Sequence, residues 1–381
     1  MLVMQVSTQQ QKEKDYPLAG NPCLMPHVKG EKAVSVFCFK DCAKYDPAKG
    51  WDLSKIREML KKHPGIDLAL TPEYTLGLTS PDDEFRIKSN HARLIPNADG
   101  SYALSPVSIP SLSCSHLISA VKSICAMAKE SGTNVALGTL PVVFSVPLPG
   151  GGKADVIFNT MLLVDRNGKI VDCHLKKGDV WDTSVFMEKK QKSETNRAAA
   201  ENFAYDHSHA FSIENKLGEK LTVIPFICFD IWDDVNSPRK GEKKPLGYRS
   251  HSRKHFGANA DIVLYSGVEA TDGTVYWTTR NAQQTGRYDV KDFPLPIKYI
   301  EGWMGELRKL KYTSPNRGVF LFSDPNEAGA YYMSPKFNSP MYPADKIIYN
   351  RDYGLYGEFR IPPVRQMAPP DRKDAFMKNK E

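Results

Sequence analysis

The sequence predicts an α/β protein with sheet packed within and helices on the outside. Three observations carry this. Apolar strand-like runs alternate with amphipathic helical segments between Ala33 and Leu140. Beyond Asn159 a strong hairpin signal and further short strands appear, so the alternation gives way to hairpins mixed with helices. The composition, 41% hydrophobic and 25% charged over 381 residues, is that of an ordinary globular protein with room for one large domain or two ordinary ones.

In chain order, residues 1–30 are polar and punctuated by Pro and Gly, and read as an arm. Their apolar run is too short for a signal peptide. Residues 31–364 form the body, and 365–381 a polar tail. AVSVFCF (Ala33 to Phe39) is a strand. WDLSKIREMLKKHPG is a helix with Leu53, Ile56, Met59 and Leu60 on one face and Pro64-Gly65 as its stop. IDLALTPE is a second strand. SHLISAVKSICAMAKESG is an amphipathic helix ended by Gly132, and NVALGTL a third strand. NTMLLVDRNGKIVDCHL places two strand-like runs around Asn167-Gly168, a hairpin signal. KLTVIPFIC is a strand in which Pro225 demands a bulge or an edge position. ADIVLYSG and RGVFLFSD complete the set. The glycines of PGGGK lack the spacing of a phosphate-binding loop and read as a plain turn.

The bulk properties exclude several function classes. The formal charge of +7 gathers in patches such as EKKQK and PRKGEKK, which read as solvated loops. There is no aromatic-interleaved basic stripe of the nucleic-acid-binding kind. No segment approaches the roughly 18 uninterrupted apolar residues of a membrane helix. The 7 cysteines are scattered and odd in number, which argues against a disulfide framework and for a reducing, cytoplasmic setting.

Three strand ends carry a reactive side chain. In LALTPEYT, Pro72 holds Thr71 extended, so Glu73 falls where the strand stops. A carboxylate there, partly desolvated, suits a general base. In NGKIVDCHLKK, Lys176 or Lys177 ends the second arm of the hairpin, where an ammonium can meet a developing oxyanion. In VIPFICFDIWDD, Cys228 sits where an apolar run meets a cluster of acids. Packing alone accounts for many buried cysteines, and a surface position for many glutamates and lysines. The ordered set is more telling. A thiol needs a base to become thiolate, and a tetrahedral adduct needs a fixed cation or N–H donors.

The ordered set TPE at Glu73, GKIVDCHLK at Lys176 and ICFD at Cys228 resembles the nitrilase superfamily of carbon–nitrogen hydrolases. FNTMLLVDRNGKIV, GANADIVLYSG and YWTTRNAQQTGRY are similar to the family's flanking segments. The resemblance covers Lys32 to Ser323, with a weaker continuation to Ile361. It implies a four-layer α-β-β-α sandwich with the cleft at the strand ends. It also implies a Glu73-Lys176-Cys228 triad acting through a thioester, with the N–H of Phe229 at the oxyanion and no cofactor. Laid on the family's Lys-x-His-Leu pattern, Asp172 falls where lysine belongs, whereas counting from Gly168 lands on Lys176. Strand alternation places Lys177 on the face of Val171, Cys173 and Leu175. Lys176 is therefore preferred, with Lys177 as the alternate. A second family glutamate matches Glu201, with Glu188 and Glu194 as competitors. The run CFD resembles members that cut amides or ureido groups, while nitrile-hydrolysing members tend to have Trp-Glu after the cysteine. The partners implied are a small amide or ureido substrate and a second copy of the chain in a homodimer.

Nitrile hydrolysis or acyl transfer on the same triad is the nearest alternative. From another class, His207-x-His209 and His251-x-x-x-His255 have spacings seen in metal sites, although HSRKH lacks the glutamate of His-Glu-x-x-His. A catalytically inactive binding module is the third reading, against which Glu73, Lys176 and Cys228 all stand intact.

Overall fold

Eight residues of nearly unbroken apolar character, KAVSVFCF, form the first strand, β1 (Lys32–Phe39). The computed structural model describes residues 30–77, 92–107, 112–176, 194–207, 209–227, 230, 260–267, 318–325, 328–332, 342–343, 346–350 and 352–361. β2 (Lys44–Asp46) and β3 (Gly50–Asp52) make a small hairpin. α1 (Ser54–Lys62) buries Ile56, Met59 and Leu60, the stripe that the helical spacing predicts. It is followed by β4 (Leu68–Leu70), β5 (Ala92–Pro96) and β6 (Tyr102–Pro106). Next come α2 (Leu112–Ser131), β7 (Asn134–Pro147), β8 (Lys153–Val164) and β9 (Ile170–Leu175). α3 (Glu194–Asp206) leads to β10 (Phe211–Glu214) and β11 (Lys220–Ile227). The remaining strands are β12 (Ile262–Ser266), β13 (Val319–Ser323), β14 (Ala328–Tyr332), β15 (Tyr342–Pro343), β16 (Lys346–Asn350) and β17 (Gly354–Ile361).

Among the described residues these strands form two large sheets. The first, of 9 strands, runs β16-β17-β1-β4-β7-β5-β6-β9-β8, and β8 also pairs with β7. The strands β7, β5, β6, β9 and β8 thus close a ring at one end of it. The second, of 6 strands, runs β10-β11-β12-β13-β14-β15. Pairing is parallel for β1–β4, β4–β7, β11–β12 and β12–β13, whose strands read as continuous apolar runs, and also for β5–β7.

One core fills the space between the sheets. Val34, Val36, Leu68, Leu70, Met161 and Leu163 face Val223, Ile227, Ile262, Leu264, Val319 and Leu321. A second core lies on the other face of the first sheet, where Ile56 and Met59 of α1 and Leu117, Val121 and Ile124 of α2 cover Phe37, Ala69, Val135 and Leu137. The alternation of Leu68, Ala69 and Leu70 between these cores is strand geometry at work. The outer face of the second sheet is covered as well, because Val263, Tyr265, Phe320 and Phe322 are buried though absent from the inter-sheet core. Each fully buried side chain of this size contributes about 1.5–3 kcal/mol relative to exposure.

One strand boundary needs correction. NVALGTL does not end at Leu140. The strand runs on to Pro147 and turns through Gly151 and Gly152 into β8. Pro141 is tolerated because it follows a register shift between Leu137 and Leu140, where the ladder is already broken. The β5–β6 hairpin was not anticipated either, its strands being short and half polar. Pro225 takes the edge position its ring demands although β11 is an internal strand: β10 stops pairing at Val223, so among the described residues Pro225 is paired on one side alone, to Leu264.

Candidate active site

Parallel strands bring the ends of different chain segments to one edge of a sheet, which is where open α/β sheets place their ligands. Here the carboxyl ends of β4, β9, β11 and β12 carry Glu73, Lys176, Ile227 and Gly267. The N–H of Glu73 donates to the carbonyl of Gly267 at 3.2 Å. Ile227 pairs with Ser266, the residue before that glycine. Glu73 is therefore tied to the level at which the chain enters Cys228. Cys228 itself, Phe229 and the alternate lysine Lys177 lie outside the described residues.

The turn carrying Glu73 is shaped by β7. Thr71 N–H donates to the Ala136 carbonyl at 3.1 Å, and Gly138 N–H donates to Thr71 Oγ1 at 2.6 Å. A Cβ at Gly138 would run into the Pro72 carbonyl, so only glycine lets the two backbones approach. Tyr74 then adopts a φ of 57°, uncommon for a residue with a side chain. Its N–H is held by Thr139 Oγ1 at 2.8 Å. A strained residue of this kind costs about 1–3 kcal/mol and persists where its surroundings over-determine it. The effect is to turn Glu73 inward.

Glu73 and Lys176 form a buried ion pair, Nζ to Oε1 at 2.8 Å, with the two residues 1% and 3% exposed. Asn159 Nδ2 donates to the same Oε1 at 2.8 Å. The Lys176 ammonium also stands 6.0 Å from the centre of the Tyr74 ring. A charge this deep is kept only when paired and hydrogen-bonded, and this pair is both.

The alternation that favoured Lys177 does not hold along β9. A register shift leaves Val171 unpaired, since Asp172 faces Leu163 while Ile170 faces Val164. Val171 accordingly packs on the inter-sheet core and Cys173 on the opposite one. The bulge breaks the two-residue period on which the face assignment rested.

Two further buried groups join Lys176 to the cysteine segment. His174 Nε2 and Asp230 Oδ2 lie 2.8 Å apart, both fully buried. The same Oδ2 accepts the Ile227 N–H at 3.1 Å. His174 precedes Lys176 by two residues and Asp230 follows Cys228 by two in the sequence, so the strand of the lysine is fastened to Asp230. The Asp230 carboxylate, singled out in the sequence for its bearing on substrate, is thus engaged with the protein core. Asp230→Ala is expected to cost about 1.5–3 kcal/mol for each hydrogen bond lost, and Asp230→Asn less, because it keeps an acceptor. Urea unfolding of the three proteins checks the ranking. Equal midpoints for Asp230→Ala and the parent chain would show that the buried carboxylate stabilises nothing.

Glu201 lies on α3, partly exposed, between Ala200 and Ala204, which pack with Leu175, the neighbour of Lys176. Glu194 is the first residue of that helix, and Glu188 lies outside the described residues. The two histidines of the metal reading diverge. His207 gives Nδ1 to the Phe203 carbonyl at 2.7 Å and stacks on the Phe203 ring, whereas His209 pairs with Asp172. His251 and His255 lie outside the described residues. Among the described residues no group of three or more His, Cys, Asp or Glu converges as a metal site requires, and no helix is long and apolar enough to cross a membrane.

A buried carboxylate by itself does not mark a site. At the opposite end of β4, Asp67 is as buried as Glu73, but its oxygens accept Ser35 N–H at 2.8 Å, Ser35 Oγ at 2.9 Å and Lys216 N–H at 2.5 Å, with Arg166 at 3.6 Å. Three backbone and hydroxyl donors consume its acceptor capacity, and it staples the two sheets. Sequence reasoning passed over Asn159 and His174. Each is a polar residue inside an apolar run, FNTML and DCHL, and a buried polar group must find a partner; that was the available signal.

No family model matches the chain, and no curated protein matches it. Among solved structures, it is similar to Nit3 of Saccharomyces cerevisiae, a member of branch 10 of the nitrilase superfamily, at 15% identity and a TM-score of 0.47 over 91% of this chain and 97% of that one. It is also similar to an amidase from Nesterenkonia sp., at 14% identity and a TM-score of 0.43 over 92% of this chain and 97% of that one. A variant of the amidase from Nesterenkonia sp. AN1, described as carrying the acetamide moiety of fluoroacetamide on its active site cysteine, matches at 13% identity and a TM-score of 0.41 over 88% of this chain and 92% of that one.

Proposed function

We propose that this chain is a nitrilase-superfamily enzyme that hydrolyses a non-peptide carbon–nitrogen bond, amide or ureido, through a thioester on Cys228. The observation that carries the reading is the buried Glu73–Lys176 pair, whose backbone segments reach both sides of Cys228: Glu73 N–H bonds Gly267, next to the Ser266 that pairs with Ile227, and His174, two residues before Lys176, bonds Asp230. A carboxylate base and a fixed ammonium, beside the strand that leads into a thiol, are the parts that acyl transfer to sulfur needs.

In this scheme Glu73 takes the Cys228 proton and the thiolate attacks the carbonyl carbon. The oxyanion is met by Lys176 and the Phe229 N–H. An ammonium has three donor hydrogens, so Lys176 can keep one on Glu73 while another meets the oxygen. Glu73 passes its proton to the leaving nitrogen, the C–N bond breaks, and ammonia or an amine departs. Water activated by the same glutamate then cleaves the thioester, releasing the acid and the free thiol. Glu201, on the helix beside the lysine strand, holds the lysine and the substrate nitrogen. No cofactor enters.

The preference for amides over nitriles rests on the run Cys228-Phe229-Asp230. Because the Asp230 carboxylate is bound to His174, it acts on the turn and not on substrate directly. The folded body spans 31–364, between an arm at 1–30 and a tail at 365–381. Helices cover the outer face of the second sheet and complete the α-β-β-α sandwich, in keeping with the burial of Val263 and Phe320. The assembly is a homodimer, and the setting cytoplasmic, in keeping with the 5 described cysteines all being free.

The test is ammonia release across panels of amides, ureido compounds and nitriles, with mass spectrometry of enzyme quenched during turnover. An acyl adduct on Cys228 from an amide is the expected result. Turnover of nitriles with none of any amide overturns the substrate class and leaves the triad. Activity lost to a chelator and restored by zinc overturns the triad.

A further inference from the structure

We infer that Asn159 is a positioning residue that aims the base Glu73; the inference rests on the carbon–nitrogen hydrolase reading above. Its side chain donates to Glu73 Oε1 at 2.8 Å, and its backbone carbonyl accepts the Lys176 N–H at 2.9 Å. One residue therefore holds both members of the ion pair, the carboxylate by its side chain and the lysine by its main chain. Asn159 is buried in β8, fixed on one side by β7, where it pairs with Pro141, and on the other by β9, where its neighbour Thr160 pairs with Leu175. It is a rigid point of reference.

The two donors to Oε1 differ in kind. Lys176 brings a charge on a flexible stem, and its ammonium is the group required at the oxyanion. Asn159 brings a neutral donor on a short side chain with a fixed direction. As the ammonium shifts toward the substrate oxygen, the amide keeps the carboxylate in place. A base misplaced by about 1 Å costs about 10²-fold in rate. Asn159 acts through the Glu73 carboxylate, so its effect is expected on kcat and not on substrate affinity.

Asn159→Leu is similar in size and removes the donor, while leaving the carbonyl that holds Lys176. On the amide or ureido substrate found for the parent chain, kcat is expected to fall about 10²-fold, with KM within about 2-fold. Asn159→Gln, which retains a carboxamide donor, is expected to regain at least about tenfold of that loss. Asn159→Ala, smaller and without the donor, serves if the leucine variant does not fold. A folded Leu or Ala variant with kcat within about 3-fold of the parent overturns the inference. So does a loss expressed through KM alone, or failure of both variants to fold, which makes the residue structural. A parent chain that hydrolyses no amide or ureido compound overturns the function reading and this inference with it, a result distinct from active parent and active variants.

Discussion

Cys228→Ala is expected to abolish turnover while leaving the fold intact. Removing the nucleophile of an acyl-transfer enzyme costs on the order of 10⁶-fold in kcat, because the remaining members cannot act without it. Alanine fills most of the same small site, so unfolding midpoints should stay close. The expectation is sharpened by the other thiols. Burial pushes the Cys38 and Cys42 thiols up to about 12, and Cys125 to about 11. Cys114 is raised by the same cause. At neutral pH a thiol at about 12 is thiolate in only about one molecule in 10⁵, and the thiolate is the nucleophile. Brief alkylation with iodoacetamide at pH 7 should therefore mark Cys228 ahead of these four, as read by peptide mass spectrometry. Near-normal turnover of Cys228→Ala, with loss in Cys173→Ala or Cys38→Ala, would mean that another thiol is the nucleophile.

Lys176→Met is expected to be damaging twice over. Losing an oxyanion donor costs about 10²–10³-fold in kcat. Losing the partner of a buried carboxylate costs about 3–5 kcal/mol of stability, since Glu73 is left charged in a low-dielectric site. Against a total of about 5–15 kcal/mol that is a large fraction. Glu73→Gln, which keeps the shape and loses the base, is expected to slow acylation by about 10²-fold or more. The double variant Glu73→Gln/Lys176→Met should be more stable than Lys176→Met alone, because the uncompensated charge has gone with it. Lys177→Met should change neither quantity by much. If Lys177→Met is the more damaging in turnover, the lysine has been misassigned. If the double variant is no more stable than the single one, the ion pair is not what Lys176 contributes.

Much of the frame was legible because it rests on local physics. The stripe of α1, the glycine that ends α2 and the Asn167-Gly168 turn are properties of a few consecutive residues, and Gly132 and Gly168 do take the left-handed φ values of 64° and 76° that such positions require. The strands that follow strict apolar runs, β1, β12 and β13, were equally plain. Of those that were missed, β2, β3, β5, β6 and β10 are short and half polar, the second half of β7 begins at a proline, and β14 to β17 lie beyond the last run read as a strand. The pairing of β5, β6 and β7 depends on partners far away in the chain.

The site divides along the same line. That Glu73 and Lys176 follow strand ends is legible in apolar run lengths and in Pro72, and the structure places both there; the same reading sets Cys228 after the run that forms β11. The sequence by itself also determined that Asn159 and His174, being polar in buried runs, must have partners. Who those partners are is a non-local matter. Glu73 and Lys176 are 103 positions apart, Asn159 and Glu73 are 86, and His174 and Asp230 are 56. Only tertiary structure decided that the lysine meets Glu73, that Asn159 holds the same oxygen, and that Asp230 turns into the core toward His174. It also decided the face of β9, because one unpaired residue at Val171 reverses the alternation for everything after it. A strand's apolar pattern records which positions are buried; the identity of what buries them is set by how distant strands fall into register.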